Sequence, residues 1–300
     1  MIVKGLDILA KIELQNRWCS PSSLSASPIR FLCAVAVIVS SFHSDSTLAT
    51  DYPTRDEMKL KAESTFGEPK NATRLSKDGR IWVDKQRKIV IVDGFVTLRE
   101  GQLEMFACPV GTKEHESIVA VYAASQQVHA GLLAIGAKTG KPTHFEPYRP
   151  ATGATIKIQV LWLDEKNQKQ VRTAQHWIRN VANNKEMPYD WVFSGSILRK
   201  DPDTGEEDYL GNSGDLICVA NFPTATLDIA VESMAADGGL TYAAFTERIP
   251  PQFTVVRLVL EVSDEAPKQS SGATDAKPLP ITEGKASEGK PEPERADLFR

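Results

Sequence analysis

Cysteine is scarce in this sequence. There are four in 300 residues, at positions 19, 33, 108 and 218, and no two have the close spacing of a zinc knuckle or a redox pair. A disulfide-dense secreted scaffold is therefore excluded. Aromatic residues make up only 7% of the chain. Neither sign of charge dominates, since 35 basic and 39 acidic residues leave a formal net charge of −4. That balance lacks the basic excess that neutralises a phosphate backbone, so no nucleic-acid partner is expected. Hydrophobic residues reach 41%, too many for a wholly solvated chain. No apolar run approaches the ~20 residues of a spanning helix, so no membrane span is expected in the mature form.

Signature motifs are also missing. There is no GxxxxGK[ST], no GxSxG and no HExxH. Gly131, Gly136, Gly140 and Lys141 do not make a phosphate loop, because they lie within or after a helical pattern rather than ahead of one. They suit a helix C-cap and turn before Pro142. No repeat recurs at a fixed period.

The N-terminus has an address. Lys4, Lys11, Arg17 and Arg30 precede the apolar run Phe31–Val39, and Thr47 and Ala49 occupy the −3 and −1 positions of a cut before Thr50. This is the pattern of a secretory signal. Residues 1–49 are read as a signal peptide and the protein as exported, periplasmic or secreted. The competing reading is a buried strand at 31–39. Removing the signal leaves Cys108 and Cys218, which either pair or stay buried as thiols. In the chain-entropy model a bridge closing so long a loop contributes about 4–5 kcal/mol.

Residues 50–79 are polar and are read as a linker or arm. A short helix is predicted over Arg55–Ser64, because Thr54 and Glu57 have capping-box spacing. Residues 263–300 are rich in Pro, Ser, Gly, Lys and Glu. They offer too little apolar surface to offset ordering entropy, so a disordered tail is expected. Residues 80–262 remain as one folded unit. Hairpins are predicted at Ile81–Asp84 with Lys88–Leu98, at Thr155–Leu163 with Gln170–Ala174, and at Trp191–Arg199 with Glu206–Leu210 around the turn signal Asp201–Gly205. Ile118–Tyr122, Asp215–Ala220 and Thr254–Val262 read as further strands. Ala123–Ala137 has helical spacing, with Ser125 as its N-cap, and Leu227–Met234 reads as a short helix. The fold class expected is α+β: mostly antiparallel strands with one main helix, a single compact domain flanked by disordered ends.

Reactive side chains concentrate in Leu103–Pro142. Cys108 precedes a proline. If Thr112 caps a helical turn, the local amides would lower the thiol pKa and make Cys108 a redox or nucleophilic centre; otherwise it is structural or a partner of Cys218. Glu114, His115 and Glu116 are candidate catalytic residues, with Lys113, His129 and Trp177 as candidate binding residues. A metal site requires three or more convergent ligands. His115, Glu116 and His129 would form an N/O set suited to zinc or iron, with Glu104 and Cys108 near enough in sequence to complete it. The competing readings are a charged loop paired to Lys113, a core histidine at 129 and a core tryptophan at 177.

The blocks LEMFACPVGTKEHES (103–117), VHAGLLAIG (128–136), DLICVANFPTATLDIAV (215–231) and AFTERIPP (244–251) resemble the YdjY-domain family, a group of bacterial and often exported proteins. The resemblance covers roughly residues 80–262 and brings no catalytic residue with it. A ferredoxin-like label attached to that family conflicts with this chain, because an iron–sulfur cubane takes four thiolates and only Cys108 and Cys218 follow the signal. The leading expectation is an exported binding or interaction domain, with no cofactor and with an unidentified protein or small molecule at the cell envelope as partner. The alternative is a metal- or thiol-dependent enzyme or redox protein centred on Cys108, His115, Glu116 and His129.

Overall fold

A computed structural model describes residues 52–233, 239–265 and 297–299. The expected signal peptide at 1–49, and 266–296 of the expected disordered tail, lie outside the described residues. The described chain is mostly strand, mostly antiparallel, with two α-helices rather than one.

The second helix lies in the segment expected to be a linker. Helix α1 (Arg55–Phe66) starts at Thr54, where the capping box forms: Glu57 N–H donates to Thr54 Oγ1 at 3.3 Å, and Thr54 N–H donates to Glu57 Oε2 at 2.7 Å. Sequence polarity hid a narrow apolar stripe of Met58, Ala62 and Phe66. Its four-residue spacing places all three on one buried face. After α1, strand β1 (Thr73–Arg74) pairs with β2 (Ile81–Asp84), and β2 forms the expected hairpin with β3 (Ile89–Val96).

The main sheet has eleven strands. The remaining ones are β4 (Met105–Pro109), β5 (Ser117–Val121), β6 (Thr155–Leu163), β7 (Lys169–Thr173), β8 (Trp191–Val192), β9 (Ile217–Cys218), β10 (Asp228–Ile229) and β11 (Val255–Ser263). The spatial order is β9-β4-β5-β3-β11-β6-β8-β10, with β2 beside β3 and β7 beside β6. A parallel bridge between Ile217 and Leu227, with Cys218 N–H donating to the Leu227 carbonyl at 2.9 Å, joins the two ends, so the sheet curls nearly into a barrel. The helix expected at Leu227–Met234 is replaced by strand β10, because Asp228 and Ile229 pair with Val192 and Trp191 at this seam; Met234 lies outside the described residues.

Strand β3 is buried along its whole length. Its even residues Val90, Val92 and Val96 join one core with Val128 and Leu132 of α2 (Ser125–Ala134). Its odd residues Ile89, Ile91 and Phe95 join another with Met58 and Phe66 of α1. Apolar sequence on both faces of the strand thus reflects a helix on each side. Burial of each such side chain contributes roughly 1.5–3 kcal/mol. At Gly94, β3 passes so close to β5 that an added Cβ would lie 2.2 Å from the Ala120 carbonyl oxygen. Only glycine fits there. Helix α2 begins one residue earlier than expected. Its N-cap is Ala124, whose N–H donates to the Gln127 side chain at 3.0 Å.

Charges also lie within the apolar strands. Asp93 of β3 faces Arg257 of β11 in register, and Arg80 enters beside them. Arg80 Nε donates to Asp93 Oδ2 at 2.8 Å, and Arg257 donates to both carboxylate oxygens at 2.6 and 3.0 Å. All three side chains are fully buried on the α1 face.

The last described residues return to this face. Leu298 and Phe299 are buried there and Asp297 pairs with Arg87 at 2.7 Å. Within the segment expected as a disordered tail, Ser263 closes β11, Glu265 pairs with Lys157, and Leu298 and Phe299 enter this core.

Candidate functional site

Strands β4 and β5 are neighbours and parallel, yet only residues 110–116 join them. A parallel connection normally takes a dozen residues or more, because the chain must return along the whole strand. Here the return is tight. Gly111 adopts φ 90°, its N–H donates to Glu114 Oε1 at 2.7 Å, and Thr112 Oγ1 donates to the Pro109 carbonyl at 2.7 Å. A short 3₁₀ turn at Glu114–Glu116 then leads into β5. This short crossover places Lys113, Glu114, His115 and Glu116 together and sets them against Glu104 ahead of β4 and Asp215 ahead of β9.

Lys113 is the hub. Its Nζ lies 3.0 Å from Asp215 Oδ1, 3.9 Å from Glu104 Oε2 and 4.9 Å from the centre of the Phe222 ring. Thr224 Oγ1 donates a very short hydrogen bond to Asp215 Oδ2. Glu104 and Glu116 are in side-chain hydrogen-bond contact. Burial, then that contact with Glu116 and its like charge, pushes the Glu104 carboxyl up to about 7, against the pull of Lys113. The Glu116 carboxyl moves the other way, held down first by its hydrogen bond with Glu104 and also by Lys113 and His115. Of the pair, Glu104 is thus the carboxyl that favours holding a proton and Glu116 the one that favours the ionised form. His115 is mostly exposed and reaches only Glu116, at 2.9 Å. Glu114 is tied to Arg55 of α1 at 3.1 Å.

The other expected residues lie apart from this cluster. Cys108 is a free, buried thiol in β4. Burial pushes its pKa up, and the hydrogen bonds with Ser117 and Thr112 do not reverse the shift, so the expectation of an activated nucleophile is corrected. Cys218 is also free and buried, in a small cluster with Met105 and Ala225, whereas Cys108 packs with the α1 core. The bridge between them is not made. His129 Nδ1 contacts the Tyr209 hydroxyl at 3.0 Å and its ring meets Phe193 edge-on; burial lowers its pKa. Its partners are distinct from those of His115 and Glu116, so the structure does not assemble the metal trio. Among the described residues no group of three or more His, Cys, Asp and Glu is arranged to hold a metal. Trp177 is fully buried against Trp162 and Phe106 and cannot anchor an external ligand; the core reading applies to it.

Asp215, Thr224 and Phe222 were not legible as site residues, since nothing in their spacing ties them to Lys113. The Arg80–Asp93–Arg257 triad did leave a signal. A single charge interrupts each of the runs Ile89–Val96 and Val255–Leu260, and a charge in the middle of a buried strand demands a partner.

A cleft of about 640 Å³ lies elsewhere, between α1, the turn of the β6–β7 hairpin and residues 247–251. Lys61, Trp162, Asp164, Glu247, Arg248 and Pro250 line it. The hairpin turn is held firmly, because Asp164 Oδ1 accepts from the N–H groups of Lys166 and Gln168 at 2.9 and 2.8 Å. Arg248 stacks 3.7 Å above the Phe245 ring and pairs with Glu186 at 2.9 Å.

No curated protein and no solved structure matches the chain. The family model of the YdjY domain matches residues 81–261, a span that takes in the whole eleven-stranded sheet except β1 and the last residues of β11. On that match the chain belongs to the YdjY domain family.

Proposed function

We propose that this protein is an exported binding domain acting at the cell envelope, and that the cleft between α1, the β6–β7 turn and residues 247–251 is where its ligand sits. The observation that carries this reading is that neither thiol nor His129 borders the open cleft. Both thiols are buried with raised pKa values, His129 is engaged in a hydrogen-bond network, and none of them lines the large cleft. The cleft volume lies within the ~300–1,000 Å³ typical of small-molecule sites. Its walls combine an amphipathic tryptophan and prolines with Lys61, Arg248, Asp164 and Glu247. Such a lining suits a zwitterionic or polar ligand with an apolar part, such as a short peptide. Export rests on the basic and apolar pattern of residues 1–49.

The test is an amide NMR titration of the chain with a library of short zwitterionic peptides. Shifts that cluster at 164–168 and 247–251, and that vanish in Lys61→Ala, support the reading. Saturable shifts confined to other surfaces would abandon the cleft.

One observation favours a second reading. A Glu104 carboxyl near 7 beside an ionised Glu116 and Lys113 is poised for proton transfer at neutral pH. An acid–base enzyme at this pair would show a turnover that follows the Glu104 titration and disappears in Glu104→Gln.

A further inference from the structure

We propose that the groove between α1, Arg87 and β7 is a peptide-recognition site whose occupant is the chain's own C-terminal Asp297-Leu298-Phe299, bound within the same molecule. This proposal goes beyond the cleft described above and does not depend on it.

Each of the three residues meets a matched feature. Asp297 forms an ion pair with Arg87 Nη1 at 2.7 Å. The Leu298 carbonyl accepts from Arg257 Nη1 at 2.8 Å, a main-chain contact that reads position rather than side chain. Leu298 and Phe299 are only 1% and 7% exposed. The Phe299 ring lies 6.2 Å from Phe66 of α1, with Lys169 of β7 5.1 Å above it. Charge, backbone and ring are thus read at successive positions, as in peptide-recognition grooves generally.

The sequence around the occupant explains why it is this segment. From Pro267 to Ala296 the chain is dominated by Pro, Lys, Glu, Ser and Gly, and adjacent large apolar residues occur next only at Leu298-Phe299. The groove also has a deficit that the segment fills. Two guanidiniums, Arg80 and Arg257, share a single carboxylate, Asp93. Their remaining N–H groups need neutral acceptors, and the carbonyls of Gly67 and Leu298 supply them. Withdrawing the segment would strip one buried donor of its partner.

An intramolecular occupant competes at an effective concentration on the order of millimolar, so a free peptide of the same sequence should bind only when the tethered copy is disabled. The experiment uses the full chain, unsubstituted and as L298A/F299A, and a fluorescent peptide of Glu294–Arg300 read by anisotropy. The expected result is saturable binding to L298A/F299A and binding at least about tenfold weaker to the unsubstituted chain. A peptide carrying Asp297→Asn should bind the variant several-fold more weakly, and one with both alanines not at all. Absence of binding to a variant that still unfolds cooperatively would overturn the proposal, as would equal binding to both chains. Should L298A/F299A fail to fold, the milder Phe299→Ala carries the same test. Light scattering decides the source of the occupant. A monomeric mass for the unsubstituted chain supports recognition within one molecule, and a dimer that L298A/F299A dissociates would overturn it in favour of exchange between copies.

Discussion

On the α1 face, Arg80, Asp93 and Arg257 are 1%, 0% and 0% exposed. At the β4–β5 crossover, the side chains of Glu104, Lys113 and Glu116 keep 27%, 26% and 31% of their area open to solvent. Both clusters gather opposite charges on one sheet, and they meet the cost of doing so differently. With water shut out, the buried trio must satisfy its polar atoms with protein, and it does so with paired Arg–Asp bonds and the carbonyls of Gly67 and Leu298. At the crossover the side chains stay partly open to solvent, which screens their charges, although Glu116 Oε2 and, apart from its ion pair with Lys113, Asp215 Oδ1 are buried without a hydrogen bond. An excess of carboxylates over ammonium is therefore tolerated, and it is relieved further when Glu104 holds a proton. The buried charges of the first cluster are held by protein partners on every side, whereas at the crossover the partly exposed Glu104 is pushed up to about 7.

The sharpest way to break this contrast is Asp93→Asn. It strands two buried guanidiniums with no counter-charge and should cost about 3–5 kcal/mol of stability, measured by urea unfolding. A loss below ~1 kcal/mol would mean that the carbonyls alone hold the arginines and that the two regions do not differ in kind.

At the crossover the corresponding test is pH. Because folding raises the Glu104 pKa from 4.5 to about 7, its contribution is fully present below pH ~4.5 and is lost as pH rises through 7. The lowered Glu116 acts oppositely, losing its contribution as pH falls below the ordinary carboxyl range. Between pH 5 and 7 the Glu104 contribution outweighs that of Glu116 and should lower stability by about 1 kcal/mol once solvent screening is allowed for. Thermal melts across that range should show a shallower decline in Glu104→Gln than in the unsubstituted protein, the remainder coming from the buried Asp228, whose carboxyl is also pushed up to about 7 by burial. An unchanged slope in the variant would remove Glu104 as the cause.

Cys108 sits between the two regimes, beside the crossover yet packed in the α1 core. With its pKa raised by burial, it should resist iodoacetamide in the native protein at pH 8 and react promptly in denaturant, as followed by mass spectrometry. Rapid native labelling would place it at the exposed site instead. The smallest effect belongs to His115→Ala. An exposed histidine with one partner should change stability by no more than about 0.5 kcal/mol and leave metal content as it was. A larger change in calorimetry, or a stoichiometric metal lost with it, would restore the metal reading of this loop.

The hairpins β2–β3 and β6–β7 were legible because each strand is long enough for its apolar pattern to repeat and each pair is joined by a short turn. The capping box of α1 was legible as well, because it is a local bond. The packing of α1 was not, since three apolar residues in a polar stretch carry little signal. Strands β8 and β9 lie inside the expected strands Trp191–Arg199 and Asp215–Ala220 but keep only two residues each, and β10, also of two residues, lies where a helix was expected. The near closure of the sheet therefore had no signature. The parallel β4–β5 pair ran against expectation, because its crossover is shorter than such connections usually are.

For the candidate site, the sequence marks Leu103–Pro142 as the reactive stretch and allows a charged loop paired to Lys113, but it does not reveal Asp215 as that lysine's partner. His115 in a charged loop and His129 in a helical pattern are both candidate ligands on sequence. Packing sends one to solvent beside Glu116 and the other to Tyr209 and Phe193. What the sequence determined by itself was everything set by neighbours along the chain: the strand and helix tendencies, the caps and turns, and the charges placed inside apolar runs. Only the tertiary structure decided which charges meet. Arg257 finds Asp93 through strand register, and Lys113 finds Asp215 through a crossover and a seam between distant segments. Such pairings depend on long-range geometry that no local pattern encodes, because a side chain's chemistry is fixed by its residue type while its partner is fixed by where the fold puts it.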